Sequence, residues 1–295
     1  MSTPGHRLRA LIDDEQILVA PGAYDAITAR LIESRGFRAV YMTGAGTVNA
    51  RLGLPDNGVA TMTEMAENAA CIAQAVSVPV FCDIDTGYGN AINVMRTVRS
   101  FEAAGVAGVH LEDQVSPKRC GHLEGKEIVE VGEMVGKIQA AIAARTDDDF
   151  VVMARTDAAA VEGVDAAIER ARAYARAGAD VIFSEALTTE AEFERFAAAE
   201  VGAPLLANMT EFGKTPYLTT QRFQEIGYST VIFPMLAFRT MLKAVDDALA
   251  ELGEQGTQVN MLERMKTRTE LYELVDYASY DALEQRYVRD VVLEE

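Results

Sequence analysis

Asp83 and Asp85 stand two residues apart in the stretch DIDTGYGN, followed by Gly87 and Gly89. An Asp-x-Asp pair running into glycines can hold a hard divalent cation, directly or through water, although the same spacing also occurs in plain turns. Glu112 in HLED and Asp56 in GLPDNG bring two further carboxylates. Gathered at one place without compensation, these groups raise one another's pKa, and the motifs themselves supply no internal cation, so a metal ion is the expected partner. An all-oxygen donor set of Asp83, Asp85 and Glu112 suits Mg²⁺, with Mn²⁺ as the alternative, rather than Zn²⁺.

A second constellation is QVSPKRCGHLEGK, residues 114–126. Lys118, Arg119 and His122 flank Cys120, and cationic neighbours lower a thiol's pKa, making it a competent proton donor and acceptor. Gly121 and Gly125 give the segment freedom to close over a site. A lone loop cysteine is often incidental, but here its cationic flanks favour a chemical role. Cys71 and Cys82 lie in apolar stretches and are expected to be inert. Arg155, Arg239, Asn208 and Thr210 are candidates to hold the carboxylates of a polyanionic di- or tricarboxylate, arginine bidentately. Arg155 also suits a structural pair with Glu185, and both roles stand.

These residues must be positioned by a repeated unit of helix, glycine and short apolar run. It recurs as SRGFRAVYMTG, AAGVAGVHLED, RAGADVIFSEA and EIGYSTVIFPM. Gly36, Gly105, Gly178 and Gly227 sit where a left-handed residue ends a helix. ILVAPGAYD, VSVPVFCDID, DDFVVMARTD and GAPLLANM complete eight apolar runs. Runs without alternation are strands buried on both faces, and helices between them imply parallel βα units. Eight such units predict a closed (β/α)₈ TIM barrel. Thr43, Asp83, Asp85, Glu112, Arg155, Asp157, Glu185 and Asn208 then share the C-terminal rim, where such barrels place their active sites.

No linker divides the chain, which predicts a single domain over residues 1–295 including a helical tail from about 237. That tail carries Phe238, Leu242, Leu249, Leu262, Leu271 and Tyr277. Beyond a complete barrel such side chains need cover, for which a neighbouring subunit is suitable. Lys and Arg total 27 against 45 Asp and Glu, a net charge of −18. That balance argues against nucleic acid, which wants a basic stripe, and is otherwise a solvated or salt-adapted surface. No apolar run approaches the ~20 residues of a membrane span. The N-terminus lacks a signal peptide's apolar core, and three cysteines make no disulfide framework. A reduced, cytoplasmic location is expected.

PGAYDAITA, YMTGAGT, GLPDNG, DIDTGYGN, HLEDQVSPKRCGH, ARTDA, EGVDAAIERA and LLANMTEFGKTP resemble the isocitrate lyase/phosphoenolpyruvate mutase superfamily over essentially the whole chain. KRCGH after LEDQ is specific to the superfamily's lyases, since phosphoenolpyruvate mutases proper lack that cysteine. NMTEFGKTPY, the AFR around Arg239 and TRTELYELVDYASYDALE look like its 2-methylisocitrate lyase branch. The resemblance implies Asp83 as the closest metal ligand, with Asp85, Glu112 and Asp56 acting largely through water. It implies Tyr41, Thr43, Gly44, Ala45 and Arg155 around the pyruvate half of the substrate. Lys118, Cys120, Gly121 and His122 would form the closing loop, and Glu185, Asn208, Thr210 and Arg239 would meet the succinate half. It also implies a homotetramer, a dimer of dimers, with the last barrel helix exchanged between subunits.

The expected reaction is a retro-aldol cleavage of 2-methylisocitrate, with Tyr41, or Asp56 through water, as base and Cys120 as proton donor. Two departures leave other substrates open. Many methylisocitrate lyases read Ser-Gly-Gly at Thr43-Gly44-Ala45, and Arg-Pro-Asn at Leu123-Glu124-Gly125. The Leu-Glu-Gly version also occurs in carboxyphosphonoenolpyruvate mutase and is close to that of dimethylmalate lyases. A phosphonomutase, a 2,3-dimethylmalate lyase and an oxaloacetate decarboxylase are the alternatives.

Overall fold

The apolar runs form eight strands: β1 Leu18–Ala23, β2 Val40–Met42, β3 Val80–Asp83, β4 Gly108–Glu112, β5 Val151–Thr156, β6 Val181–Ser184, β7 Leu205–Asn208 and β8 Thr230–Phe233. Each pairs in parallel with its neighbour in sequence. The ring closes where Leu18 to Pro21 of β1 pair with Thr230 to Phe233 of β8, giving the expected eight-stranded barrel. This computed structural model describes residues 2–119 and 125–289, so Cys120, Gly121 and His122 lie outside the described residues.

Strand side chains alternate in direction, so one parity fills the barrel and the other meets the helices. Phe81, Met153, Phe183, Leu206 and Ile232 belong to the inner cluster. Cys82, Val109, Val152, Ala154 and Ile182 belong to the outer one, against Ile72, Phe101, Ile138 and Tyr174 of the helices. The same parity carries the inner row to the rim. Two residues after Phe81 comes Asp83, after Met153 comes Arg155, after Phe183 comes Glu185, and after Leu206 comes Asn208. The rim chemistry is thus a continuation of the core pattern. Gly36, Gly105, Gly178 and Gly227 all take positive φ between helix and strand, as their spacing predicts.

The opposite end is plugged by the helix Pro4–Ile12, capped by Thr3, with Leu8 and Ile12 reaching the inner cluster. Arg9 fixes it by donating to the Asp149 carbonyl at 2.9 Å and pairing with Asp180 at 2.8 Å.

The chain packs as two compact units, Met1–Phe238 and Arg239–Glu295, dividing near the predicted start of the tail. The helix Leu236–Gln255 spans the division. The second unit continues through Val259–Arg264, Arg268–Leu274 and Tyr277–Glu284. It exposes Leu242, Leu249, Leu262, Tyr277 and Tyr280. Among the described residues no helix is long and apolar enough to cross a membrane.

Leu8 is fully buried, so Leu8→Ala should cost about 2–5 kcal/mol. The urea midpoint should fall without a change in m-value, while activity per folded molecule is kept because the plug is remote from the rim.

Candidate active site

In the middle of β2, Tyr41 points inward, its Oη 2.8 Å from His110 Nε2 and its ring stacked on the imidazole at 5.6 Å. Burial above all, with Asp83 adding to it, pushes the Tyr41 phenol well above its ordinary pKa. That burial favours the neutral phenol in the metal-free site, where it shares a hydrogen bond with the His110 ring. Thr43 caps the helix Gly44–Leu52, its hydroxyl accepting from Gly46 N–H at 3.2 Å. A Cβ on Gly44 would clash with the Asp83 carboxylate, so glycine lets this helix start against that carboxylate without displacing it. Ala45 follows in the same first turn.

Asp83 ends β3, and Asp85, at φ +46, turns back so that its N–H donates to Asp83 Oδ1 at 2.9 Å. Asp85's carbonyl accepts from Glu112 N–H at 2.9 Å, tying the ends of β3 and β4 together. Burial raises the carboxyl pKa of Asp83, Asp85 and Glu112; Lys118 pulls the first two back and Arg155 the third. Asp85 rises to about 6.

The expectation that these acids lack an internal cation is overturned. Lys118 Nζ contacts Asp56 Oδ1 and lies 3.1 Å from Asp85 Oδ1. Burial works against this ammonium, but Asp85, Glu112, Asp56 and Asp83 outweigh it and keep Lys118 protonated. Arg155 is the second cation. Its Nε lies 2.9 Å from Asp157 and 3.1 Å from Glu112, and its Nη1 3.4 Å from Glu185. The pair with Glu185 therefore exists, but Asp157 and Glu112 are the nearer partners. Asn208 donates to Glu185 at 3.1 Å, and Thr210 is buried beyond it. Arg239 begins the second unit.

Among the described residues no three Asp, Glu, His or Cys side chains are grouped to hold a metal ion as they stand. The donor chemistry nonetheless fits a hard divalent cation. Asp83, Asp85 and Glu112 are oxygen donors whose charge burial disfavours, and Glu112 Oε1 is buried with no partner. A cation there would relieve both conditions.

The sequence motifs did not single out His110 or Lys126, which the fold brings to this mouth beside the rim residue Asp157 that they did mark. His110 is fully buried two residues before Glu112, and burial lowers its pKa to about 3, so it is neutral. Its Nδ1 has no partner. The strand parity that leads to Glu112 also marks His110. Asp157 follows Arg155 in the same parity; burial opposes its charge, but Arg155 and then Lys126 hold its pKa down. Lys126 Nζ reaches it at 2.8 Å, a contact with no local sequence signal. Behind them Asp113 accepts from Thr156 and Tyr174 hydroxyls at 2.8 Å and from Asp157 N–H at 2.9 Å.

The sequence profile of the phosphoenolpyruvate phosphomutase family matches residues 8–253. A 2-methylisocitrate lyase of Aeropyrum pernix is 51% identical over 281 residues, covering 95% of this chain and 90% of that one. The structure of a 2,3-dimethylmalate lyase, described as a PEP mutase/isocitrate lyase superfamily member, superposes with a TM-score of 0.92 at 37% identity and covers 100% of both chains. A phosphonopyruvate hydrolase solved with oxalate and Mg²⁺ gives a TM-score of 0.88 at 32% identity, covering 97% of this chain and 100% of that one. With a closed barrel, an acid-rich rim and matches along nearly its whole length, the chain belongs to the phosphoenolpyruvate phosphomutase family, within the PEP mutase/isocitrate lyase superfamily.

Proposed function

We propose that this chain is a Mg²⁺- or Mn²⁺-dependent carbon–carbon lyase that cleaves 2-methylisocitrate to pyruvate and succinate. The observation that carries the reading is the 51% identity with a 2-methylisocitrate lyase over nearly the full chain. The rim of Asp56, Asp83, Asp85, Glu112, Lys118 and Arg155 supports it, because a polycarboxylate hydroxy acid needs both cations and a metal-holding acid cluster.

Asp83, Asp85, Glu112 and Asp56 would hold the ion, which when bound supplies Lewis acidity toward the substrate's hydroxyl and adjacent carboxylate; the Mg²⁺ in the phosphonopyruvate hydrolase is consistent with this. The first-turn N–H groups of Gly44 and Ala45 suit a substrate carboxylate, since helix N-termini favour anions. Arg155 completes the pyruvate side. Tyr41, or Asp56 through water, would take the hydroxyl proton. As the hydroxyl proton leaves, the C2–C3 bond breaks and its electron pair passes to the departing succinate carbon. Lys118, His122 and Arg239 offset that charge, and Cys120 gives its thiol proton to the carbon. Glu185, Asn208 and Thr210 would orient the succinate carboxylates. Asn208 Oδ1, buried without a partner, is one group there ready for a donor.

The exposed apolar side chains of the second unit suit a subunit contact, and a homotetramer with an exchanged helix, working in the cytoplasm, is part of this reading. The structural likeness to a 2,3-dimethylmalate lyase favours that substrate as the second reading. Steady-state rates with 2-methylisocitrate, isocitrate, 2,3-dimethylmalate and oxaloacetate decide between them. The highest kcat/KM on 2-methylisocitrate is expected, and higher kcat/KM on another acid would overturn the assignment. Turnover of carboxyphosphonoenolpyruvate followed by ³¹P signals would instead reveal the mutase.

Exhaustive chelation should abolish cleavage, with Mg²⁺ or Mn²⁺ restoring it; full turnover after chelation would remove the metal from the reading. Gly44→Ala should impair binding of both the metal and pyruvate while far-ultraviolet circular dichroism stays unchanged, because the new Cβ displaces Asp83. Cys120→Ser should keep metal and substrate binding but lose at least ~10³-fold in turnover, about 4 kcal/mol of barrier. Near wild-type cleavage by that variant would rule out the thiol as proton donor.

A further inference from the structure

We propose that Lys118 is a resident counter-ion of the carboxylate cluster, which a divalent cation displaces on binding and thereby frees to serve the substrate. The proposal rests on the metal reading above and adds an order of events to it. The Lys118 side chain is only 5% exposed and its ammonium sits between Asp56 and Asp85. The two segments that carry these groups are in contact, since a Cβ on Gly58 would lie 3.5 Å from the Lys118 backbone nitrogen. Arg155 is committed elsewhere: Asp157 accepts from its Nε at 2.9 Å and from its Nη2 at 3.2 Å. Among the described residues, Lys118 is therefore the cation placed on the Asp56 and Asp85 carboxylates.

An ammonium and a divalent ion served by the same desolvated acids repel strongly across a few ångströms. The carboxylates gain more from the doubly charged ion, and a lysine on a flexible four-carbon stem can leave without moving the backbone. Asp56 and Asp85, now paired with Lys118, then become available to the ion. This accounts for the acids being ungrouped for metal as they stand, although their chemistry suits one. It also implies that metal precedes substrate, because the Lys118 charge becomes available to an anionic substrate only after the exchange.

The test is Mn²⁺ affinity, measured by titration calorimetry at pH 8 without substrate, for the wild type, Lys118→Met and Lys118→Arg. Removing the competing charge should tighten Mn²⁺ binding in Lys118→Met at least ~10-fold, about 1.4 kcal/mol. Lys118→Arg, which keeps the charge, should bind no more tightly than the wild type. Equal or weaker binding by Lys118→Met overturns the exchange, as does tightening by both variants, which would place the cause in side-chain shape. A wild-type measurement covers the case in which the methionine variant fails to fold. Acylation of Lys118, followed by mass spectrometry, should accelerate when Mn²⁺ is added, and an unchanged rate counts against displacement. Absence of Mn²⁺ binding in the wild type overturns the metal reading itself, whereas unchanged affinity in Lys118→Met overturns only the exchange.

Discussion

Carboxylates taken out of water are tolerable only beside positive charge, and this constraint governs the whole mouth of the barrel. Asp56, Asp83, Asp85, Glu112, Asp157 and Glu185 gather there against Lys118, Lys126 and Arg155. The cations are shared unequally. Asp157 accepts from Arg155 and Lys126 together and keeps its charge readily, whereas Asp83, Asp85 and Glu112 are pushed toward their neutral forms. Buried pairs of this kind seldom stabilise a fold relative to apolar packing. Their retention at one rim, above an inner layer of Phe81, Met153 and Phe183, marks the place where the fold gives up stability for chemistry.

The barrel itself was legible because its signals are local. Unbroken apolar runs, the glycines that end helices, and polar residues at the strand ends all lie within ten residues of one another. The same locality makes Asp83, Asp85, Glu112, Arg155 and Glu185 readable as rim residues. Lys118 was legible as a functional residue but not as a counter-ion, because its partner Asp56 is 62 positions away on another loop. Lys126 on Asp157 is hidden for the same reason, with 31 positions between them. Tyr41 shows the other limit. Its residue type allows a base, but the burial beside Asp83 and His110 that raises its phenol pKa depends on the assembled core.

Strand parity accounts for one group that the motifs passed over. His110 lies on the inner face because Glu112 does, and there it is neutral, stacked on Tyr41 and edge-on to Phe183. It joins the core to the rim, with Nε2 on the Tyr41 hydroxyl and 3.8 Å from Asp83 Oδ1. A polar group in such a layer restricts how the neighbouring side chains can pack, since each must meet its hydrogen-bonding needs in one arrangement. The Asp113–Thr156–Tyr174 cluster does the same behind Asp157. Rim geometry is thus supported from below by directional bonds as well as by apolar packing.

The likeness of this barrel to both a 2,3-dimethylmalate lyase and a phosphonopyruvate hydrolase, with TM-scores of 0.92 and 0.88, shows that one scaffold carries different reactions. Fold similarity therefore bears on the shared part of the chemistry and leaves the outcome to particular side chains. In the reading proposed for this chain, the shared part is recognition of a pyruvate-like unit by the Gly44–Ala45 turn, Arg155 and the acid cluster. What differs is the fate of the electron pair from the broken bond. A lyase must deliver a proton to carbon, so it needs an acid of suitable pKa over the leaving group and fixed positive charge around the carbanion until the proton arrives. The segment 114–126 combines a thiol with lysine, arginine and histidine, the residue types that task requires. The acid cluster reaches into that segment through Lys118, which pairs with Asp56 and Asp85, so the charge balance of the rim is tied to the segment that carries the thiol.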